Sequence, residues 1–143
     1  MMPKTNKTLG GGGFHHVAIR ASDFDASVRF YTEALGFFEK IRWGEGEKRA
    51  IMLDVGDGNY LEIFSGRKES LPAQSPEPPI LHFAIRTTDT DSAIARARAA
   101  GAEVTIEPKN VNIPSTPQVT PVRLAFCKGP DGELIEFFQN ETT

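Results

Sequence analysis

Residues 16 to 25 of the chain, HVAIRASDFD, return 66 positions later as HFAIRTTDTD. Six of the ten positions are identical: His16/His82, Ala18/Ala84, Ile19/Ile85, Arg20/Arg86, Asp23/Asp89 and Asp25/Asp91. A repeat constrains the fold more than any single motif, because one architecture must satisfy both copies. Two copies are too few for a solenoid, so the chain reads as one supersecondary module written twice. At 143 residues it has room for a single domain with a modest core.

Both copies continue alike. An alternating strand is followed by SDFDASVRFYTEALG, where Phe24, Val28, Tyr31 and Leu35 fall at helical spacing. Ser22 or Asp23 suits the N-cap of that helix, and Gly36 suits the position after its end. The second copy, TDTDSAIARARAAG, carries Ile94, Ala97 and the closing Gly101. Strands are expected at residues 37–43, 49–55 and 60–65 in the first copy, the last two joined by GDGN. In the second copy they are expected at 103–107, 122–128 and 134–138, the last two joined by GPDG. Each module is therefore β-α-β-β-β, in an α+β chain. The boundaries read as a flexible glycine-rich arm over 1–13 and one domain over 14–140. Within it, module 1 spans about 14–66, a proline-punctuated linker 67–80 and module 2 about 81–140. PKNVNIPSTPQVTP reads as a long loop of module 2 with no counterpart in module 1.

Residues two apart in a strand share a face. His16, Ala18 and Arg20 lie together, as do His82, Ala84 and Arg86, while Val17 and Ile19 face a helix and His15 points away from His16. The closing strands hold a second matched set. YLEIF places Glu62 with Tyr60 and Phe64, and LIEFF places Glu136 with Leu134 and Phe138. A carboxylate among aromatic and aliphatic residues is costly unless paired or bound to a cation. Two imidazoles and two carboxylates suit a divalent ion such as Ni²⁺, Co²⁺, Zn²⁺, Mn²⁺ or Fe²⁺. The competing reading makes the histidines core residues and pairs the glutamates with Arg20 and Arg86.

Composition excludes several classes of partner. A net charge of −3 leaves no electrostatic footprint for nucleic acid or an anionic membrane surface. No apolar run approaches the roughly 20 residues a bilayer requires, and MMPKTNKTLGGGG lacks the apolar stretch of a signal peptide. The single cysteine, Cys127, forms no internal disulfide, in keeping with a cytoplasmic protein, and reads as a packing residue.

At these residues the chain resembles the vicinal oxygen chelate superfamily, the glyoxalase I and bleomycin-resistance group. The motifs are HHVAIRASDFDASVRFYTEALGF, LHFAIRTTD, YLEIF and GPDGELIEF. The resemblance implies an open, cup-shaped mixed β-sheet built from two βαβββ modules, with helices on its outer face. It implies one divalent metal ion per site, held by His16, Glu62, His82 and Glu136, and a homodimer. The complete His-Glu-His-Glu set is most similar to bacterial glyoxalase I (lactoylglutathione lyase). That similarity implies a small carbonyl–thiol adduct as substrate, Arg20 as a grip on its carboxylate, and Glu62 or Glu136 as the group that moves the carbon proton through an enediolate. One departure bears on the thiol: where glyoxalase I has an asparagine that helps hold glutathione, this chain has Gly66. The alternatives within the same superfamily are a metal-free binding module of the antibiotic-resistance kind and a methylmalonyl-CoA epimerase.

Overall fold

The structure is a computed structural model that describes residues 5–34, 36–68, 79–130 and 132–143. The chain divides into two compact units. One comprises His16–Leu81 and Pro114–Val119; the other comprises Met1–His15, His82–Ile113 and Thr120–Thr143.

Module 1 runs β1 (Phe14–Arg20), α1 (Phe24–Arg29), β2 (Phe38–Trp43), β3 (Ala50–Gly56) and β4 (Asn59–Phe64), with strand order β2-β3-β4-β1. β1 and β4 are parallel while β2–β3 and β3–β4 are antiparallel, so the module's sheet is mixed. Module 2 repeats the pattern with β5 (Ile80–Arg86), α2 (Thr90–Ala99), β6 (Glu103–Ile113), β7 (Thr120–Lys128) and β8 (Leu134–Gln139), in the order β5-β8-β7-β6. There β5 and β8 are the parallel pair. The duplicated βαβββ reading is thus the observed one.

The capping residues repeat as well. Asp23 accepts the Ala26 N–H at 3.0 Å, and Asp89 accepts the Ser92 N–H at 3.0 Å, each satisfying an orphan donor of its helix. α1 holds only six α-helical residues before the turn widens into a π-helical segment, Phe30–Ala34. The Thr32 hydroxyl donates to the Val28 carbonyl at 2.7 Å, a back-bond that competes with the regular ladder and bends helices. Leu35 lies outside the described residues. The expected hairpin turn between β3 and β4 carries Asp57 at φ 56° and Gly58 at φ 74°, the paired positive dihedrals of a two-residue hairpin loop.

Each helix covers one face of its own sheet. In module 1, Ile51, Leu53 and Ile63 meet Phe24, Val28 and Tyr31; in module 2, Ala125, Cys127 and Phe137 meet Ala93 and Ile94. The opposite faces carry Ile41, Met52 and Tyr60 in one module and Ala84, Val122, Leu124 and Phe138 in the other. Ile19 packs on the helix side as expected, but Val17 is 37% exposed and takes no share of that core.

Three expectations need correction or completion. The PKNVNIPSTPQVTP segment is not all loop: β6 runs on to Ile113, and residues 114–119 alone form the connection. Pro108 is accommodated because the register shifts between Ile106 and Lys109 on an edge strand, where a missing N–H costs no ladder bond. The connection itself pairs with β2, Arg42 and Thr116 exchanging backbone hydrogen bonds of 3.0 and 2.7 Å. Residues 5–13, expected to be a flexible arm, are tied down: Thr88 N–H donates to the Leu9 carbonyl and Arg86 N–H to the Gly13 carbonyl. Of the linker, residues 69–78 lie outside the described residues. Among the described residues no helix is long and apolar enough to cross a membrane.

Candidate metal centre

Each unit holds one histidine–glutamate pair on the sheet face turned away from its helix. In module 1 the β1–β4 register sets Ala18 opposite Glu62, so His16 lies two residues earlier on the same face. In module 2 the β5–β8 register sets Ala84 opposite Glu136, with His82 again two residues earlier. Both alanines are 0% exposed. A larger side chain at either position would have no solvent to enter, so each alanine is fixed by close packing beside its pair.

The distances match. His16 Nε2 stands 3.4 Å from Glu62 Oε1, and His82 Nε2 stands 3.2 Å from Glu136 Oε1. His16, Glu62 and Glu136 are buried, and the His82 ring, edge-on to Phe126 at 5.3 Å, is 10% exposed. A charge-assisted N–H···O bond closes to about 2.7–2.9 Å. Two ligands bound to one ion at about 2.1 Å are separated by about 3.0 Å at right angles and about 3.4 Å at the tetrahedral angle. Both separations are those expected of neighbouring ligands of one ion, and the 3.2 Å of His82–Glu136 also matches a long N–H···O bond. The donor chemistry agrees, since neutral imidazole nitrogen and carboxylate oxygen suit first-row divalent ions.

Arg20, Arg86, Cys127 and Gly66, together with the aromatic residues Trp43, Phe37 and Phe38, fall as follows. Arg20 donates from Nη1 to the Ser65 carbonyl at 3.0 Å and lies 5.7 Å over the Phe64 ring. Trp43 meets the other side of that corner, edge-on to Phe64 at 6.1 Å. Arg86 donates to the Thr143 carbonyl at 3.1 Å. Phe37 stacks on Tyr31 in the helix-side core, while Phe38 is exposed. Cys127 is buried, and burial pushes its thiol above the ordinary range, so it packs and does not act as a nucleophile. Gly66 adopts φ 87°, and a Cβ built there would stand 3.1 Å from the Glu47 carbonyl oxygen. An asparagine in its place would be strained and crowded.

A further repeated pair was missed in the sequence. Arg49 Nη1 bonds Asp25 at 2.9 Å, and Arg123 grips Asp91 through two bonds of 2.6 and 2.8 Å. The Arg123 hydrogen bonds hold the Asp91 carboxyl below its ordinary range. Arg49, just before β3, and Arg123, within β7, each clamp the first turn of their module's helix. The signal was available: Arg49 and Arg123 are separated by 74 residues, as are Glu62 and Glu136.

The comparisons with known proteins agree with this frame. A family model described as the Glyoxalase/Bleomycin resistance protein/Dioxygenase superfamily matches residues 13–137, and the chain belongs to that superfamily. The uncharacterized protein YwbC of Bacillus subtilis (strain 168) is 31% identical over 128 residues, 87% of this chain and 94% of its own. A lactoylglutathione lyase of Haemophilus influenzae is 30% identical over 132 residues, 90% of this chain and 93% of its own. The crystal structure of methylmalonyl-CoA epimerase from Mycobacterium tuberculosis superposes with a TM-score of 0.69 at 23% identity. It covers 99% of this chain and 93% of that one, and it shows that the fold is glyoxalase-like.

Proposed function

We propose that the two His–Glu pairs together hold one divalent ion, and that the chain is a metal-dependent lyase or isomerase of the glyoxalase I type. The observation that carries this reading is the ligand-like spacing of 3.4 and 3.2 Å, found once in each module. His16, His82 and Glu136 are a donor set able to hold a metal ion, and Glu62, which lies outside that group but 3.4 Å from His16, is taken as the fourth ligand from the resemblance. Nickel, cobalt and zinc suit these donors, as do manganese and iron. When bound, such an ion supplies Lewis-acid polarisation of a carbonyl oxygen.

The chain's own residues do the rest. One of the two carboxylates, Glu62 or Glu136, takes the carbon proton of an α-hydroxy carbonyl adduct and returns it to the neighbouring carbon, with an enediolate between the two transfers, while the other holds. Phe126 and Phe138 in module 2, and Met52 and Tyr60 in module 1, exclude water from the carboxylates and keep the transferred proton from exchanging. Arg20, at the end of the His16 face, is the grip for a substrate carboxylate. The substrate is a hemithioacetal of an α-ketoaldehyde and a small thiol, and the functional form is a homodimer.

The conformation at Gly66 argues against the glutathione contact that an asparagine would make there, so the test spans several thiols. Metal-reconstituted protein is assayed with methylglyoxal and glutathione, cysteine or other low-molecular-weight thiols, beside methylmalonyl-CoA. Metal-dependent conversion of at least one hemithioacetal, lost on chelation, is expected. Epimerisation of methylmalonyl-CoA in its place would overturn the reading.

A further inference from the structure

The ring of His82 has a neighbour that its pairing with Glu136 does not account for. On the face that carries both residues, the strand registers set Ile106, Phe126, Glu136 and Ala84 in one row across β6, β7, β8 and β5. Phe126 thus stands beside Glu136, and His82 lies two residues before Ala84 on β5. The backbones of β5 and β7 are two strand spacings, about 10 Å, apart. The His82 and Phe126 rings nonetheless meet at 5.3 Å, edge to face at 85°. Both rings therefore lean over β8 towards each other, and the fully buried Ala84 puts no larger side chain in their way. All of these residues belong to one compact unit.

Edge to face is a preferred arrangement of two aromatic rings. Phe126 is itself held, because it packs on the cluster of Ala84, Val122, Leu124 and Phe138. It offers His82 a fixed surface.

The other module shows what is particular to this contact. Met52 stands opposite Glu62, 74 residues before Phe126, and is an unbranched, adaptable side chain. The His16 side chain is 0% exposed, so packing encloses it on every side. The His82 side chain is 10% exposed and keeps one side open to solvent. An imidazole with an open side can change rotamer unless a neighbour bars the way, and Phe126 is placed to bar it. Groups that orient a metal-binding histidine are worth about 10- to 100-fold in metal affinity.

We infer that Phe126 is a positioning residue for the metal centre: its ring holds the His82 imidazole with Nε2 turned towards Glu136. Module 2 thereby presents its half of the ligand set already oriented. This role rests on the proposed metal reading, but the hold on His82 is measurable without metal.

The test compares the full chain with Phe126→Met, which installs in module 2 the residue that module 1 carries at this place, and with Phe126→Tyr, which keeps the ring. The chain has three histidines, so each imidazole can be followed in carbon–proton NMR spectra of metal-free protein. In Phe126→Met the His82 signals are expected to move towards their unfolded-chain positions while those of His16 stay. In Phe126→Tyr all should stay close to their original positions. Co²⁺ titration should show affinity about tenfold weaker in Phe126→Met, with altered ligand-field bands, and near-intact affinity in Phe126→Tyr. Val122→Ala, a truncation in the same cluster, should lower the unfolding midpoint and leave Co²⁺ affinity unchanged, which separates positioning from packing. Unmoved His82 signals in folded Phe126→Met would overturn the inference, as would an equal loss of affinity in Val122→Ala. Unchanged affinity in folded Phe126→Met, with Co²⁺ bound by the intact chain, would reject the positioning role alone. An intact chain that takes up no Co²⁺ would reject the metal reading itself, and the positioning role with it.

Discussion

Glu136→Gln is expected to lower turnover by about 10²- to 10⁴-fold, the range over which a positioned general base contributes. The substitution keeps the size and planarity of the side chain while removing the negative charge and the proton-accepting capacity. Glu136 is 4% exposed on β8, with Phe137 and Phe138 beside it in sequence and Ala84 opposite it in the β5 register. An amide there occupies the same volume and keeps a carbonyl oxygen to accept from the His82 ring. Far-UV dichroism should therefore be preserved as activity disappears. Near-normal turnover in Glu136→Gln would reject its role as the base. The matching Glu62→Gln variant compares the two carboxylates: the substitution that abolishes turnover while sparing metal retention marks the base.

Leu53→Ala is expected to cost about 2–5 kcal/mol of stability. Leu53 is 0% exposed on β3 and packs with Ile51 and Ile63 beneath Phe24, Val28 and Tyr31 of the helical segment. Its neighbour Met52 points to the other face, toward Ile41 and Tyr60. The cavity left by truncation opens against a strand and a helix fixed by the Asp25–Arg49 clamp and the Asp23 cap, so it collapses poorly. Against a typical total of about 5–15 kcal/mol, such a loss removes a large fraction of the folded population's margin. Urea unfolding measures it: the midpoint should fall with the slope unchanged. A change below about 1 kcal/mol would mean that the helical segment does not rest on Leu53.

The architecture was legible because it is written twice. The alternation in HVAIR and HFAIR, the aspartate caps and the two closing strands each predicted an element that is present, with ends displaced by a few residues. The same duplication marked His16, Glu62, His82 and Glu136, and the structure places each histidine beside its glutamate within its module. What escaped was information carried by tertiary context. Pro108 reads as a strand breaker, and only the register shift on an edge strand shows how β6 passes through it. Four successive glycines read as a flexible arm by composition, whereas the fold uses their dihedral freedom to pack a turn around Arg86–Thr88. Asp25 and Arg49 are too far apart in sequence, and flanked by too little similarity, for their clamp to be seen without the matching pair in module 2. The contacts of His15 with Phe138 and Thr143 are long-range and carry no signal in the sequence.

The central claim is that two His–Glu pairs act as one metal centre. The most direct measurement is metal per chain in untagged protein, stripped and re-titrated with Ni²⁺, Co²⁺ and Zn²⁺, beside His16→Ala and His82→Ala. About one ion per chain, lost from either variant although each leaves the other pair whole, is the predicted result. No ion in the intact protein, or full retention in His82→Ala, would contradict it and return the matched histidines and glutamates to a purely structural role.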